Sequence, residues 1–475
     1  MEKHITTGIE GLDSILSGGF PEGAAVVVEG APGTGKTTMG LQFLYDGAVN
    51  HEQGGIYITF EELPNQIYAD AQSFGWDLRT LERSNQLRIV CISPELLMKE
   101  IVVQDGFFEQ MVDEIGCRRL VIDSISLLRY GAENDEMLRK TIYGFRNILR
   151  KLNITSMFIR EQTYDTPHLV PFENYVVDGV IRLELKPLMN KYRKRTLEVL
   201  KMRGTRITEG EHNIKFMSNG IHLAPLFSMV EDKILSENTD NISTGIPSLD
   251  GLLSGGLPQG SVFILDTNSK ANYQYLLNSI YFEQLRRGNR VLSLIPGSSS
   301  VNLIRQNAEL YDISLDEMVK QDRVFFIDPF DRVEQHQYGD AVFKMNGMSE
   351  IEYEQVITNT LAPKILEDSK KGQHWFVYYD LNTIFSTRGI DFVKRFFAEE
   401  AARARSTGTT ILALCNFSEI LPEVSSFLER VGNGVIRTWV DGNYQYLQIT
   451  KSPTGQMSAP HMIESISEKP FIRLV

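Results

Sequence analysis

One phrase occurs twice in this chain. Thr7-Gly8-Ile9-Glu10-Gly11-Leu12-Asp13, followed by Gly18-Gly19-Phe20-Pro21-Glu22-Gly23, returns as Thr244-Gly245-Ile246-Pro247-Ser248-Leu249-Asp250 and Gly255-Gly256-Leu257-Pro258-Gln259-Gly260. The offset stays at 237 residues throughout, close to half of the 475-residue chain. Self-similarity on that scale means two tandem copies of one domain, 1–235 and 236–475. The junction is expected within Glu231–Ile242, where polar residues interrupt the apolar pattern. In the first copy, short apolar runs alternate with helical patterns. Ala24–Glu29, Gly55–Phe60, Arg88–Ile92, Arg119–Ser124 and Thr155–Ile159 read as strands, and Thr37–Val49, Pro64–Phe74 and Phe107–Ile115 as helices. Leu138, Ile142, Phe145, Leu149 and Leu152 form one further apolar helix face. This alternation predicts an α/β fold, a mostly parallel sheet covered by helices on both faces, with its site at the strands' carboxyl ends. Val180–Leu183, Thr196–Met202 and Ile214–Leu223 suggest a small antiparallel extension.

The strand Ala24–Glu29 leads into Gly30-Ala31-Pro32-Gly33-Thr34-Gly35-Lys36-Thr37-Thr38, and a helix follows. Glycines let consecutive N–H groups curl inward around a phosphate chain, and the helix N-terminus adds partial positive charge. Lys36 is placed to reach the β- and γ-phosphates, and the Thr37 hydroxyl to ligate Mg²⁺. The expected ligand is therefore a nucleotide with Mg²⁺. Asp123, ending an apolar strand, is either a second oxygen for the metal or a cap for the next helix. Glu61 and Glu62 also follow a strand. They are either bases for an attacking water or a solvated helix start. The most basic stretch, Lys191–Arg206, carries Lys201 and Arg203 two apart on a strand. It is a solvated face, a nucleic-acid patch, or a set of charges reaching a neighbour's nucleotide.

Composition narrows these choices. A net charge of −13 argues against coating nucleic acid by bulk attraction, though a local basic stripe leaves that class open. The sequence has no apolar run of membrane-spanning length, so no membrane association is expected. Its start leaves no room for a signal peptide, and three scattered cysteines, Cys91, Cys117 and Cys415, suggest a reducing, cytoplasmic setting without a metal cluster.

The first copy resembles the KaiC family of RecA-like ATPases. The resemblance rests on Leu12-Asp13 with Gly18–Gly23, the loop Gly33–Thr37, Phe60-Glu61-Glu62, Ser73–Leu78, Ile122–Ser124 and Lys201-Met202-Arg203-Gly204. It implies a ring of like subunits, a hexamer, with ATP between neighbours. It also implies that Glu61 and Glu62 are catalytic glutamates and that Lys201 and Arg203 act on the neighbouring subunit's ATP. Arg160-Glu161 stands where the family commonly has Thr-Glu-Arg.

The second copy departs from this pattern. Positions 30–37 map to Thr267-Asn268-Ser269-Lys270-Ala271-Asn272-Tyr273-Gln274, so Lys36 becomes Tyr273 and the glycines are gone. Pro296-Gly297-Ser298 stands where glutamates are expected, and Asp380 is either a relic of the metal carboxylate or a helix cap. The whole chain therefore reads as a slowly ATP-hydrolysing oligomeric switch whose second domain serves as scaffold or partner-binding surface, without autokinase activity. A RecA-like DNA-binding ATPase and a non-enzymatic adaptor stabilised by ATP are the alternatives.

Overall fold

The computed structural model describes residues 3–475 apart from 102, 104–105, 132–134, 163–172, 189–191, 225–239, 269 and 334–337. The chain divides into two compact units, Met1–Leu226 and Phe227–Val475. Most of the expected junction, residues 231–239, lies outside the described residues.

The main sheet of the first unit has nine strands. They are β1 (Ala25–Gly30), β2 (Gly54–Thr59), β3 (Leu87–Cys91), β4 (Cys117–Asp123), β5 (Thr155–Glu161), β6 (Gly179–Leu188), β7 (Tyr192–Met202), β8 (Glu211–Met217) and β9 (Gly220–Ala224). Their order across the sheet is β9-β8-β7-β6-β1-β5-β4-β2-β3. β1 sits between β5 and β6, parallel to both, and every one of its residues is buried. Its Ala-Val-Val-Val run is what a strand covered on both faces requires. Two helices matter most for the site, α1 (Lys36–Asn50) and α2 (Pro64–Gln72), while α3 (Asp135–Lys151) covers the opposite face. Period-two alternation feeds two cores. Tyr57 and Val121 pack with Met39, Phe43 and Leu44 of α1, whereas Ile58 and Ile122 pack with Leu138, Ile142 and Phe145 of α3.

The antiparallel extension begins one strand later than the sequence pattern suggests. β6 still runs parallel to β1, and only β7, β8 and β9 alternate in direction. Val180, Ile181 and Leu183 are buried like the residues of β1, so β6 completes the buried parallel sheet. Ile214–Leu223 is a hairpin formed by β8 and β9.

The main sheet of the second unit has ten strands: β10 (Val262–Thr267), β11 (Arg290–Leu294), β12 (Val324–Asp328), β13 (Val342–Lys344), β14 (Trp375–Asp380), β15 (Thr410–Cys415), β16 (Gly434–Asp441), β17 (Tyr444–Lys451), β18 (His461–Ser465) and β19 (Ile472–Leu474). The order β19-β18-β17-β16-β10-β15-β14-β11-β12-β13 repeats that of the first unit, with β13 added at one edge. The repeated phrase does the same work in both. The Thr7 amide donates to Asp13 Oδ1 at 2.8 Å and the Thr244 amide to Asp250 Oδ1 at 2.7 Å. Gly19 and Gly256 have φ of 115° and 123°, and a Cβ on either would lie 2.2 Å from the carbonyl oxygen of Ile5 or Ile242. Only glycine fits there.

Arg119, on β4, is wholly buried against α1. Its guanidinium donates to the Phe43 carbonyl (2.7 Å), Gln53 Oε1 (2.8 Å) and Asp46 (3.3 Å), and lies over the Phe43 ring. Removing it takes the arginine from the partly buried Asp46 carboxylate, leaves the Phe43 carbonyl without that donor and opens a void. Arg119→Ala is expected to lower unfolding stability by about 3 kcal/mol, read as a shifted urea midpoint at unchanged slope.

Candidate nucleotide site

β1 ends at Gly30 and α1 begins at Lys36, so a five-residue turn joins the central strand to its helix. Gly35 holds φ at 107°, and a Cβ there would fall 2.5 Å from Phe216 Cζ on β8. Arg195, on β7, lies over the Phe216 ring at 4.8 Å and donates from Nε to the Gly33 carbonyl at 3.1 Å. The antiparallel extension thus walls the loop. Within the loop, Thr34 Oγ1 donates to the Ala31 carbonyl at 2.8 Å, while Pro32 and Gly33 are exposed. Lys36 Nζ donates to the carbonyls of Gly30 (2.8 Å) and Ala31 (3.1 Å). Burial lowers the Lys36 pKa, and the charges of Glu161 and Asp123 oppose that shift.

Parallel register sets the strand ends side by side. Thr59 pairs with Asp123, Asp123 with Ile159, and Glu161 with Gly30. Asp123 Oδ2 accepts from Thr37 Oγ1 at 2.7 Å and from the Tyr57 hydroxyl at 2.7 Å. The carboxylate therefore turns toward the loop, as a metal ligand would. Burial, reinforced by Asp123, pushes the Tyr57 phenol well above its usual value. Two hard oxygens on a carboxylate and a hydroxyl, beside a phosphate cradle, form a donor set suited to Mg²⁺.

Glu61 and Glu62 occupy the turn after β2, and their amides donate to Thr59 Oγ1 at 3.4 and 3.0 Å. α2 starts at Pro64, so both precede the helix. Glu61 is exposed and Glu62 half-buried. The Glu62 carboxyl is raised above its ordinary value by burial first, then by Asp123, Asp70 and Glu61. Glu62 is thus the glutamate that feels Asp123.

Lys201 and Arg203 lie elsewhere. Met202 faces Gly179, which pairs with Val26 near the start of β1. The loop begins four residues further on, about 13 Å along the strand. Lys201 Nζ donates to the carbonyls of Asn174 (2.8 Å) and Val177 (2.7 Å). Lys451 in the second unit does the same to Glu429 (2.6 Å) and Gly432 (2.7 Å). Burial lowers the pKa of both lysines. Arg203 is half exposed, and its guanidinium meets the Tyr175 carbonyl at 3.3 Å and Asp178 at 3.9 Å among the contacts described. Arg160 pairs with Glu29, which also takes Arg182 at 2.9 Å, leaving Glu161 as the member of that pair nearest the loop lysine. The sequence reading missed Tyr57, Arg195 and Phe216; each is separated from the loop by a strand pairing that local patterns do not reveal.

The second unit closes the same turn by other means. Asn268 Oδ1 accepts from the amides of Lys270 (3.2 Å) and Ala271 (3.0 Å). Gln445 Oε1 takes the Asn272 amide at 3.1 Å, and Asn272 Oδ1 takes that of Gln274 at 3.3 Å. Side-chain oxygens hold the N–H groups that a phosphate would need. Asp380 caps the helix Leu381–Arg388, accepting from the Thr383 amide and hydroxyl.

A glycine-rich loop joining the central parallel strand to a helix, opposite a strand-end carboxylate, defines a phosphate-loop nucleotide-binding fold. Comparison with known proteins narrows the class. Residues 5–227 match the family model described as "ATPase: KaiC". The circadian clock oscillator protein KaiC of Picosynechococcus is 33% identical over 330 residues, covering 67% of this chain and 63% of that protein. KaiC of Synechococcus elongatus is 31% identical over 327 residues, covering 66% and 62%. This chain therefore spans less than two thirds of the length of those relatives. A solved KaiC-like protein of Pyrococcus horikoshii is 30% identical, with all of that chain and 47% of this one aligned at a TM-score of 0.43. The first unit is KaiC-like over nearly its whole length, and the likeness to KaiC proteins extends over two thirds of the chain. Gly35→Ala, strained at positive φ and in collision with Phe216, is expected to cost about 2 kcal/mol of stability and to abolish retention of a fluorescent ATP analogue in equilibrium dialysis.

Proposed function

We propose that the first unit binds and slowly hydrolyses ATP and that the chain works as a homo-oligomeric switch. The observation that carries this reading is the meeting of Thr37, Asp123 and Tyr57 at the mouth of the loop. The loop amides and Lys36 hold the phosphates, the ammonium exchanging its two carbonyl partners for phosphate oxygens. Thr37 and Asp123 hold Mg²⁺, which when bound supplies positive charge against the phosphates. Glu62 accepts the proton of the attacking water, and Glu61, exposed beside it, orients that water. The burial that raises Glu62 makes it a stronger base than an exposed carboxylate.

Arg203 completes the site from another subunit. It stands at the far end of the strands from its own loop, so it reaches phosphate only across an interface between copies, in a closed ring such as a hexamer. Lys201 supports the same turn. The presence of an equivalent lysine in a unit without a phosphate loop favours a positioning role for it. The second unit, with the amides of Lys270, Ala271, Asn272 and Gln274 already bonded to side chains, acts as scaffold or partner surface, and no autokinase activity follows. The second reading, a DNA-binding ATPase, loses Arg195 from its basic stripe because that side chain is turned onto the loop.

In an ATPase assay, Glu61→Gln/Glu62→Gln should keep ATP binding while turnover falls about 100-fold or more. With Glu62 as base, activity should fall as pH drops through its raised pKa, so the acid limb lies above the ordinary 4.5. Arg203→Ala should lower turnover about 1,000-fold. Mixing it with Lys36→Ala should restore activity to roughly a quarter of wild type, the share of interfaces that pair one intact loop with one intact arginine. No restoration would mean that Arg203 does not act across subunits.

A further inference from the structure

Asp178 stands directly before β6, where three elements of the first unit meet. Its amide donates to the Ala25 carbonyl at 2.8 Å and its Oδ2 accepts from the Ala25 amide at 3.1 Å, which fastens it to the start of β1. Arg146, buried on α3, donates from Nη2 to Asp178 Oδ1 at 2.6 Å. Arg203 meets the same residue twice. Its amide donates to the Asp178 carbonyl at 2.9 Å, and its Nη1 stands 3.9 Å from Asp178 Oδ1. One carboxylate thus joins a buried guanidinium to a half-exposed one. Arg203 also lines an open pocket with Arg139 and Lys140, where an anion can approach it.

The second unit separates what the fold needs from what these charges add. Asn433, directly before β16, repeats the junction: its amide donates to the Val262 carbonyl at 2.7 Å, and its Oδ1 accepts from the Val262 amide at 2.9 Å. An amide oxygen is therefore enough to brace the strands. Ala401 takes the place of Arg146, the two lying nine residues before Thr410 of β15 and Thr155 of β5. Pro453 takes the place of Arg203, each standing two residues beyond the lysine, Lys451 or Lys201, that gathers two carbonyls. Other ion pairs, Glu29 with Arg182 and Asp266 with Arg437, are common to both units. The set Arg146, Asp178 and Arg203 is kept where the phosphate loop is kept, and replaced where the loop is replaced.

We propose that Asp178, itself fixed by Arg146, is a positioning residue that holds the Arg203 guanidinium ready for ATP hydrolysis. This role rests on the reading of Arg203 as the group that stabilises charge on a neighbouring copy's phosphates. A free arginine side chain samples many rotamers, and an anchored carboxylate beside its guanidinium narrows them before phosphate arrives. Arg146 also allows the release. When Arg203 passes to phosphate oxygens, Asp178 keeps a partner and is not left as a lone, nearly buried charge.

The test measures turnover, affinity for an ATP analogue and melting temperature on the full chain. Asp178→Asn alone leaves Arg146 buried without its carboxylate, so Arg146→Leu/Asp178→Asn is the variant that spares the fold. It should lower turnover about 100-fold, with analogue affinity and melting temperature near those of wild type. Asp178→Asn should lower turnover at least as far. Added to Arg203→Ala, the Arg146→Leu/Asp178→Asn change should cause no further loss, because it acts through that guanidinium; a merely structural defect would multiply the loss. Turnover kept in Arg146→Leu/Asp178→Asn but lost in Arg203→Ala, losses that multiply, or failure of both Asp178 variants to fold would overturn the proposal alone. Full turnover by Arg203→Ala would instead overturn the reading of Arg203, and the positioning role with it.

Discussion

The parallel pairing of β1 on both sides is the constraint on which the first unit depends. A strand bonded to β5 and β6 along its whole length cannot shift by a residue without turning Val26 and Val28 out of one core and Val27 out of the other. That fixes where Gly30 leaves the sheet and where Lys36 begins the helix. The same pairing carries Glu161 to the loop lysine and, one strand further, Asp123 to the Thr37 hydroxyl. The site is a consequence of register before it is a consequence of any side chain.

The two units show what of this scaffold is separable from phosphate chemistry. The brace formed by the repeated phrase occurs in both. So does a carboxylate–arginine pair between the central strand and its parallel neighbour: Glu29 with Arg182, at 2.9 Å, and Asp266 with Arg437, at 3.1 Å. So does the lysine that gathers two carbonyls at the end of β7 or β17. These are devices for holding the fold together. The turn after the central strand differs, and the difference is in who satisfies its amides. Glycines leave the chain free to curl around an outside ligand, whereas Asn268, Gln445 and Asn272 satisfy those groups from within. One topology therefore supports an open glycine-rich turn in one copy and a self-satisfied turn in the other.

The sequence by itself determined a great deal. A constant offset announced two copies, and apolar runs alternating with helical stripes announced parallel sheets, because both periods are imposed by local backbone geometry. The loop Gly30–Thr38 was legible because its chemistry requires particular residues at adjacent positions. Asp123 was legible as a strand end, although its choice between metal ligand and cap was not. Tertiary structure turned that carboxylate onto the Thr37 and Tyr57 hydroxyls, an arrangement that favours the metal reading. It also decided that β6 belongs to the parallel sheet, that Glu62 rather than Glu61 lies in the partly buried position beside Asp123, and that Arg195 and Phe216 wall the loop. Arg203 was turned away from its own loop by the same means. The physical reason is common to these cases. They depend on which strands become neighbours across the sheet, and pairing between segments sixty to more than a hundred and fifty residues apart leaves no periodic trace in either segment.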